Sequence, residues 1–145
     1  MSKVKEKKVL EFLRDIDTDF PVSLSDKVEL SEYAYKLWRR ATLCTEVREG
    51  EIVGMVAGYT ENLDENLAYI ALVGVRSAFR HQGIAQKLVE CFVRTCDEKK
   101  VKGVHLYTDA RNVAAIQMYK KLGFELFNID NESRPEDIHF IRYCK

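Results

Sequence analysis

Apolar positions recur along this chain with two different periods, and the change between them divides it. From Val4 to Ile16 the spacing is helical. Leu10, Leu13 and Ile16, with Val9 and Phe12 beside them, fall on one side of a helix over about 4–16. Asp17-Thr18-Asp19-Phe20-Pro21 breaks it. A loop over 21–30 follows, anchored by Phe20, Val22, Leu24 and Val28. Ser31 is placed to cap a second helix over about 32–41, with Glu32 in its first turn. Tyr33, Leu37 and Trp38 would form its buried side. The pattern then turns to strands. Leu43–Arg48 and Ile52–Tyr59 read as a hairpin about the turn Glu49-Gly50, although Gly54 and Gly58 interrupt the second strand. After the polar turn Asn62–Asn66, Ala68–Val75 is an unbroken apolar run, as a central strand buried on both faces would be. A helix over 83–99, a strand over 103–108 and a helix over 113–122 come next, with Gly123 placed as the left-handed residue that ends the last helix. Strands 124–129 and 138–143 close the chain around a turn at Ser133-Arg134-Pro135. Strands alternating with helices after a hairpin make an α/β fold, a mixed central sheet flanked by helices. The crossover between 75 and 103 should be parallel and right-handed.

Composition changes this picture little. The chain has 145 residues, the size of a single domain over 1–145. Lys plus Arg and Asp plus Glu are 23 each, spread evenly, so there is no basic excess of the kind that nucleic-acid or anionic-membrane binders show. No apolar stretch follows Lys3–Lys8 as it would in a secretory signal, and no segment is apolar for the 18 or more residues a span needs. The expectation is a cytoplasmic protein with reduced thiols. Cys44, Cys91, Cys96 and Cys144 contain no CxxC, and His81, His105 and His139 are isolated in sequence, so no metal site is expected.

The segment with most chemical content is Val75-Arg76-Ser77-Ala78-Phe79-Arg80-His81-Gln82-Gly83-Ile84-Ala85. A buried strand stops there and a helix starts at a glycine. Unpaired N–H groups of the first helical turn would point past the strand end and form an anion site. Gly83 would let an anion approach the main chain, and Arg80 would add a charge-assisted donor. The alternative is a small-residue helix start packed on the sheet.

Arg80-x-x-Gly83-x-Ala85 after Ala71-Leu72-Val73-Gly74-Val75 resembles the pyrophosphate motif of the GNAT family of N-acetyltransferases, Gln/Arg-x-x-Gly-x-Gly/Ala. A second segment agrees in order and setting. Leu106–Asn112, Ala115 and Tyr119-Lys120-Lys121-Leu122-Gly123-Phe124 resemble that family's "L-x-V…N…A…Y-x-K-x-GF". The resemblance covers about residues 43–145, and the first forty residues show no first strand. Asp19–Ser25 and Tyr33-Ala34-x-Lys36-Leu37 are also similar to small bacterial members.

The resemblance implies the GNAT fold and acetyl-CoA as co-substrate. The cofactor would lie in a splay between strands 68–75 and 103–108. Its pyrophosphate would rest on Arg80, His81, Gln82, Gly83, Ile84 and Ala85, and its pantetheine would run along Val73, Gly74 and Val75. A bulge that Gly74 tolerates would open the sheet, and an N–H near Val73 would stabilise charge on the thioester oxygen. Gly74 could equally serve close packing. Asn112 would touch the cofactor or cap a helix, His81 would face the 3′-phosphate or solvent, and Tyr119 would donate to the leaving thiolate. The family's glutamate base is replaced by Tyr69, a poor base at its ordinary pKa, which would line the acceptor cleft or hold a water instead. Glu46, Glu61 and Asp109 are the other base candidates, and a water chain is an alternative to all of them.

The implied function is transfer of an acetyl group to a primary amine, a small molecule first, by direct attack in a ternary complex. Two alternatives stand beside it: a CoA-binding sensor without turnover, and a protein N-terminal or lysine acetyltransferase. No nucleic-acid or membrane partner is expected, and the closing strands offer material for a homodimer.

Overall fold

The structure is a computed structural model and describes residues 4–61, 63–127 and 137–144. Two helices precede the first strand. In α1, Glu6–Ile16, the stripe Val9, Phe12, Leu13 and Ile16 is buried. In α2, Leu30–Arg40, Ala34 and Leu37 are buried, while Tyr33 and Trp38 are half-buried. The Trp38 indole N–H donates to the carbonyl of Val4 at 2.8 Å and ties the two helices together. The cap of α2 corrects the sequence reading. Glu29, not Ser31, is the N-cap, and its carboxylate accepts from the Glu32 N–H at 2.7 Å and from the Ser31 hydroxyl. A carboxylate takes both donors and carries a full charge at the positive end of the helix dipole, which a hydroxyl does not.

β1, Thr42–Arg48, and β2, Glu51–Tyr59, form the expected hairpin. Glu49 and Gly50 both have left-handed φ, 52° and 79°, as a two-residue turn matched to strand twist requires. Then come β3, Leu67–Val75, α3, Ile84–Glu98, β4, Gly103–Asp109, α4, Val113–Lys121, the short β5, Glu125–Leu126, and β6, Asp137–Tyr143. The strand expected over 124–129 is thus seen as two paired residues, and its end and the turn at Ser133-Arg134-Pro135 lie outside the described residues. The sheet order is β1-β2-β3-β4-β6-β5, and only β3 and β4 are parallel. This is the mixed, helix-flanked α/β sheet that the sequence predicts. α4 ends as the sequence predicts: Gly123 has φ 91°, its N–H donates to Lys120 O, and the next N–H, of Phe124, reaches back to Tyr119 O at 3.0 Å.

Two cores sandwich the sheet. α1 and α2 close over Met55, Ala57 and Leu72, and α3 and α4 close over Val56, Ala68, Ile70, Val104, Leu106 and Phe140. α3 comes so close that a Cβ on Gly58 would stand 2.4 Å from the Phe92 ring. The glycines that weakened the strand pattern are therefore where helix and sheet touch.

β3 and β4 pair only from Leu67↔Gly103 to Ile70↔Leu106. Beyond that rung β3 continues through Val75 and β4 through Asp109 with no pairing between them. The cause is visible in the other register of β3. Ala57 pairs with Leu72 but Gly58 with Ile70, so Ala71 is an extra residue, a bulge that bends β3 where its contact with β4 stops. The bulge is at Ala71 and not at Gly74. Gly74 pairs regularly with Met55, and its missing side chain makes room for Ile16, whose Cδ1 would lie 2.6 Å from a Cβ there.

Candidate active site

The splay presents a main-chain edge of β3 that no neighbouring strand pairs. The Arg76 N–H donates to Val53 O at 2.8 Å across the β2–β3 ladder. Donor direction alternates along a strand, so Gly74 also faces β2, while Val73 and Val75 turn their N–H and C=O groups away from β2 into the splay. The side chains of Val73 and Val75 pack on the α3 core and hold this edge in place.

The mouth of the splay is the strand-to-helix turn. Arg80 Nε donates to Val75 O at 3.1 Å and ties the turn to the end of β3. His81 and Gly83 both have left-handed φ, 63° and 76°, with Gln82 between them, so the backbone curls into a concavity of amides. α3 has no side-chain cap at Gly83, and its first turn, Ile84 to Gln86, has N–H groups without acceptors in their own helix. A Cβ on Gly83 would meet nothing within 4 Å. His81, Gln82 and Gly83 are exposed, Ala85 is half-buried, and Ile84 points into the core. An uncapped helix start, open above its glycine, fits a pyrophosphate. The Arg80 guanidinium pairs with the Asp19 carboxylate in this structure, so an anion would compete with that carboxylate for it.

Asn112 is a helix cap: its Oδ1 accepts from the Ala115 N–H at 3.3 Å. Tyr119 is 5% exposed and packs edge-on against Phe124, with ring centroids 5.6 Å apart, and against Phe140. Burial pushes its hydroxyl well above the usual tyrosine range, so it stays protonated and can act as a donor but not as a base.

On the α2 face, where β3 and β4 part, the sheet is bare of helix. A cleft of about 880 Å³ opens there, with Tyr69, His105, Tyr107 and His139 as its floor. α2 supplies one wall through Lys36, Arg39 and Arg40, and the β2–β3 connection supplies another through Glu61, Asp64 and Glu65. Tyr69 therefore lines the cleft, as the second sequence reading has it. Its ring lies 5.1 Å from that of His105.

Two of the histidines that look isolated in sequence, His105 and His139, are not isolated in space. His105 Nδ1 and His139 Nε2 are 2.9 Å apart. The His139 ring is stacked between Tyr107, at 4.1 Å, and Phe127, at 4.9 Å. Burial lowers the pKa of His105 below the usual histidine value, against the pull of Glu65. The signal was in the register: β4 and β6 are antiparallel, which puts His139 beside Tyr107, one step from His105.

Two base candidates are spoken for. Asp109 accepts from the Arg111 backbone N–H and side chain, with contacts of 2.7–2.9 Å, which push its pKa down to about 2. Glu46 is held low by Lys87 and Arg48 and does not line the cleft. Glu61 does line the cleft and pairs with Lys99 at 3.4 Å. Cys44 and Cys96 are buried, with thiols pushed up to about 12, which fits core fillers rather than nucleophiles. No group of three metal-ligating side chains occurs among the described residues, and no described helix is long and apolar enough to cross a membrane.

Comparisons with known proteins bear on the family and the fold. Residues 9–124 match the model of the acetyltransferase (GNAT) family, and the chain belongs to that family. A histone acetyltransferase, MCC1, of Arabidopsis thaliana is 33% identical over 78 residues, which are 53% of this chain and 32% of that protein. The chain thus spans about a third of the length of this relative. Among solved structures, Ard1 from Thermoplasma volcanium superposes with a TM-score of 0.78 at 22% identity, over 99% of this chain and 96% of that one. A PaiA N-acetyltransferase from Thermoplasma acidophilum, solved with coenzyme A, superposes at 0.72 with 12% identity, over 99% and 95%. The fold is therefore the GNAT fold.

Proposed function

We propose that the chain transfers an acetyl group from acetyl-CoA to the primary amine of a small molecule, directly, with both substrates bound. The observation that carries this reading is the open splay, edged by Val73 and ending at the Gly83 concavity. Acetyl-CoA, when bound, supplies the activated thioester. The N–H groups of Gly83, Ile84 and Ala85 would hold its pyrophosphate, and Arg80 would add charge once released from Asp19. The edge of Val73 and Val75 would pair with the pantetheine as a further strand would, and the Val73 N–H would stabilise charge on the carbonyl oxygen. Tyr119, kept protonated by burial, would donate to the departing sulfur.

The cleft volume, about 880 Å³, lies within the range of small-ligand pockets and supports a small acceptor. The name of the Arabidopsis relative, a histone acetyltransferase, favours a protein acceptor, at a chain terminus or a lysine, as the second reading. The test is calorimetric titration with acetyl-CoA, followed by thiol release over a panel of amino acids, polyamines, aminosugars and basic peptides. Binding near 1:1 with release on a small amine supports the proposal. Release on peptides alone moves the acceptor to protein. Binding without release leaves a sensor.

A further inference from the structure

Resting on this transferase reading, we propose that His105, oriented by His139, takes the proton from the acceptor amine. Three placements carry it. His105 stands opposite Tyr69 on the rung just before the last paired one, so its ring lies at the apex of the splay. It belongs to the floor of the cleft through which an acceptor would enter. Its Nδ1 is 2.9 Å from Nε2 of His139, a ring that is itself clamped between two aromatic faces.

Either ring can be the donor in that contact, and the base role requires His105 Nδ1 to be the one. With the proton on Nδ1 of His105 and donated to His139 Nε2, the lone pair of His105 is on Nε2. An ammonium acceptor then gives one proton to Nε2, and the imidazole becomes imidazolium. The freed nitrogen lone pair forms the N–C bond to the acyl carbon as the C–S bond breaks with its electrons on sulfur. A second N–H proton ends on the sulfur, and His105 returns its proton to solvent. A neutral imidazole is needed for the first step, and burial keeps His105 neutral near pH 7. The groups facing it are Tyr69 from β3, Tyr107 on β4 and His139 from β6, with Glu65 at the rim. Across the cleft are Tyr59 of β2, Lys36, Arg39 and Arg40 of α2, and the carboxylates Glu61 and Asp64. Of the carboxylates, Glu65 is the one that acts on His105 to raise its pKa, and it does not outweigh burial.

Two measurements test this. The first is nitrogen NMR of the histidine rings in the protein alone, across pH. The expected result is an Nδ1–H tautomer at His105 that titrates below the usual histidine range; an Nε2–H tautomer overturns the proposal. The second is the pH dependence of kcat/KM for the natural protein and His105→Gln, with acetyl-CoA affinity measured beside it. The variant should bind acetyl-CoA unchanged and lose about 100-fold at pH 7. That deficit should narrow as pH rises toward the amine's own pKa, about 10, where no base is needed. A loss that is uniform across pH, or no loss, overturns the proposal while leaving the transferase reading intact. A natural protein that binds acetyl-CoA but acetylates nothing in the panel overturns the transferase reading and this proposal with it.

Discussion

Gly50 and Gly83 are a matched pair. Their φ angles are 79° and 76°, and a Cβ on either would meet nothing within 4 Å. Alanine at each position must therefore accept the same left-handed backbone without a clash. That strain costs about 1–2 kcal/mol, and the stiffer unfolded chain offsets about 0.4–1 kcal/mol of it. Gly50→Ala and Gly83→Ala should each lose about 1 kcal/mol, or ~3 °C in Tm for a chain of this size. They differ in what lies above the glycine. Gly50 is a hairpin tip, whereas Gly83 is the floor of the amide concavity. On the proposed reading the new methyl of Gly83→Ala stands where the pyrophosphate must rest on main-chain N–H groups. Losing that close contact should weaken acetyl-CoA binding about tenfold or more, some 1.4 kcal/mol, and Gly50→Ala should bind as the natural protein does. Thermal denaturation with calorimetry on both variants checks this. If both are equally destabilised and bind acetyl-CoA alike, the anion does not sit on Gly83, and the concavity is only a way to start a helix.

Asp19→Asn releases the Arg80 guanidinium from its ion pair, so acetyl-CoA should bind up to about fivefold tighter, since exposed pairs are worth ~0.2–1 kcal/mol; Arg80→Ala should weaken binding in the same calorimetric assay. Tyr119→Phe keeps the packing on Phe124 and Phe140 but removes the donor, and should lower kcat by ~100-fold with KM for acetyl-CoA unchanged; equal loss in folded-state stability and no loss in kcat would reduce Tyr119 to a core contact. Gly58→Ala should cost more stability than Gly74→Ala in urea titrations, because its Cβ would meet the Phe92 ring at 2.4 Å and the Tyr69 carbonyl at 2.6 Å, whereas that of Gly74 meets the movable end of Ile16. The Asp109 carboxyl is lowered from 3.8 to about 2 on folding, so the stability it lends is complete above about pH 4 and is lost as pH falls through its folded value; Asp109→Asn should flatten acid unfolding in that window.

The elements were legible where a local rule decides them. The i, i+3, i+4, i+7 stripe of α1, the Glu49-Gly50 turn and the Gly123 stop each depend on residues adjacent in sequence. The α2 cap was misread because Ser31 follows the usual N-cap preference and Glu29 does not, whereas the longer Glu29 carboxylate is the group that reaches two donors. Gly74 is ambiguous in sequence for a different reason. A strand glycine permits either a bulge or close packing, and only the position of Ile16, far away in sequence, selects packing. The histidine pair was invisible because it is written across two strands, and no single window contains both partners.

The same non-local logic explains why the candidate site is where it is. One inserted residue, Ala71, ends the β3–β4 ladder and so creates the edge at Val73. The rung just before the last paired one holds Tyr69 and His105, whose side chains point to the face that α1 and α2 leave uncovered there. The bulge thus separates two environments along one strand: paired, aromatic and titratable before it, unpaired main chain after it. An acceptor entering the cleft meets the first, and a thioester lying in the splay meets the second. Deleting Ala71 would make Gly58↔Ile70 and Ala57↔Leu72 consecutive rungs, and Leu72, Val73, Gly74 and Val75 would keep the faces they now have. Val73 would still stand beside Val56 on the α3 core, and Gly74 would still leave room for Ile16. The opening is thus set by one residue of β3 that neither core requires for its packing, and it is part of the fold itself.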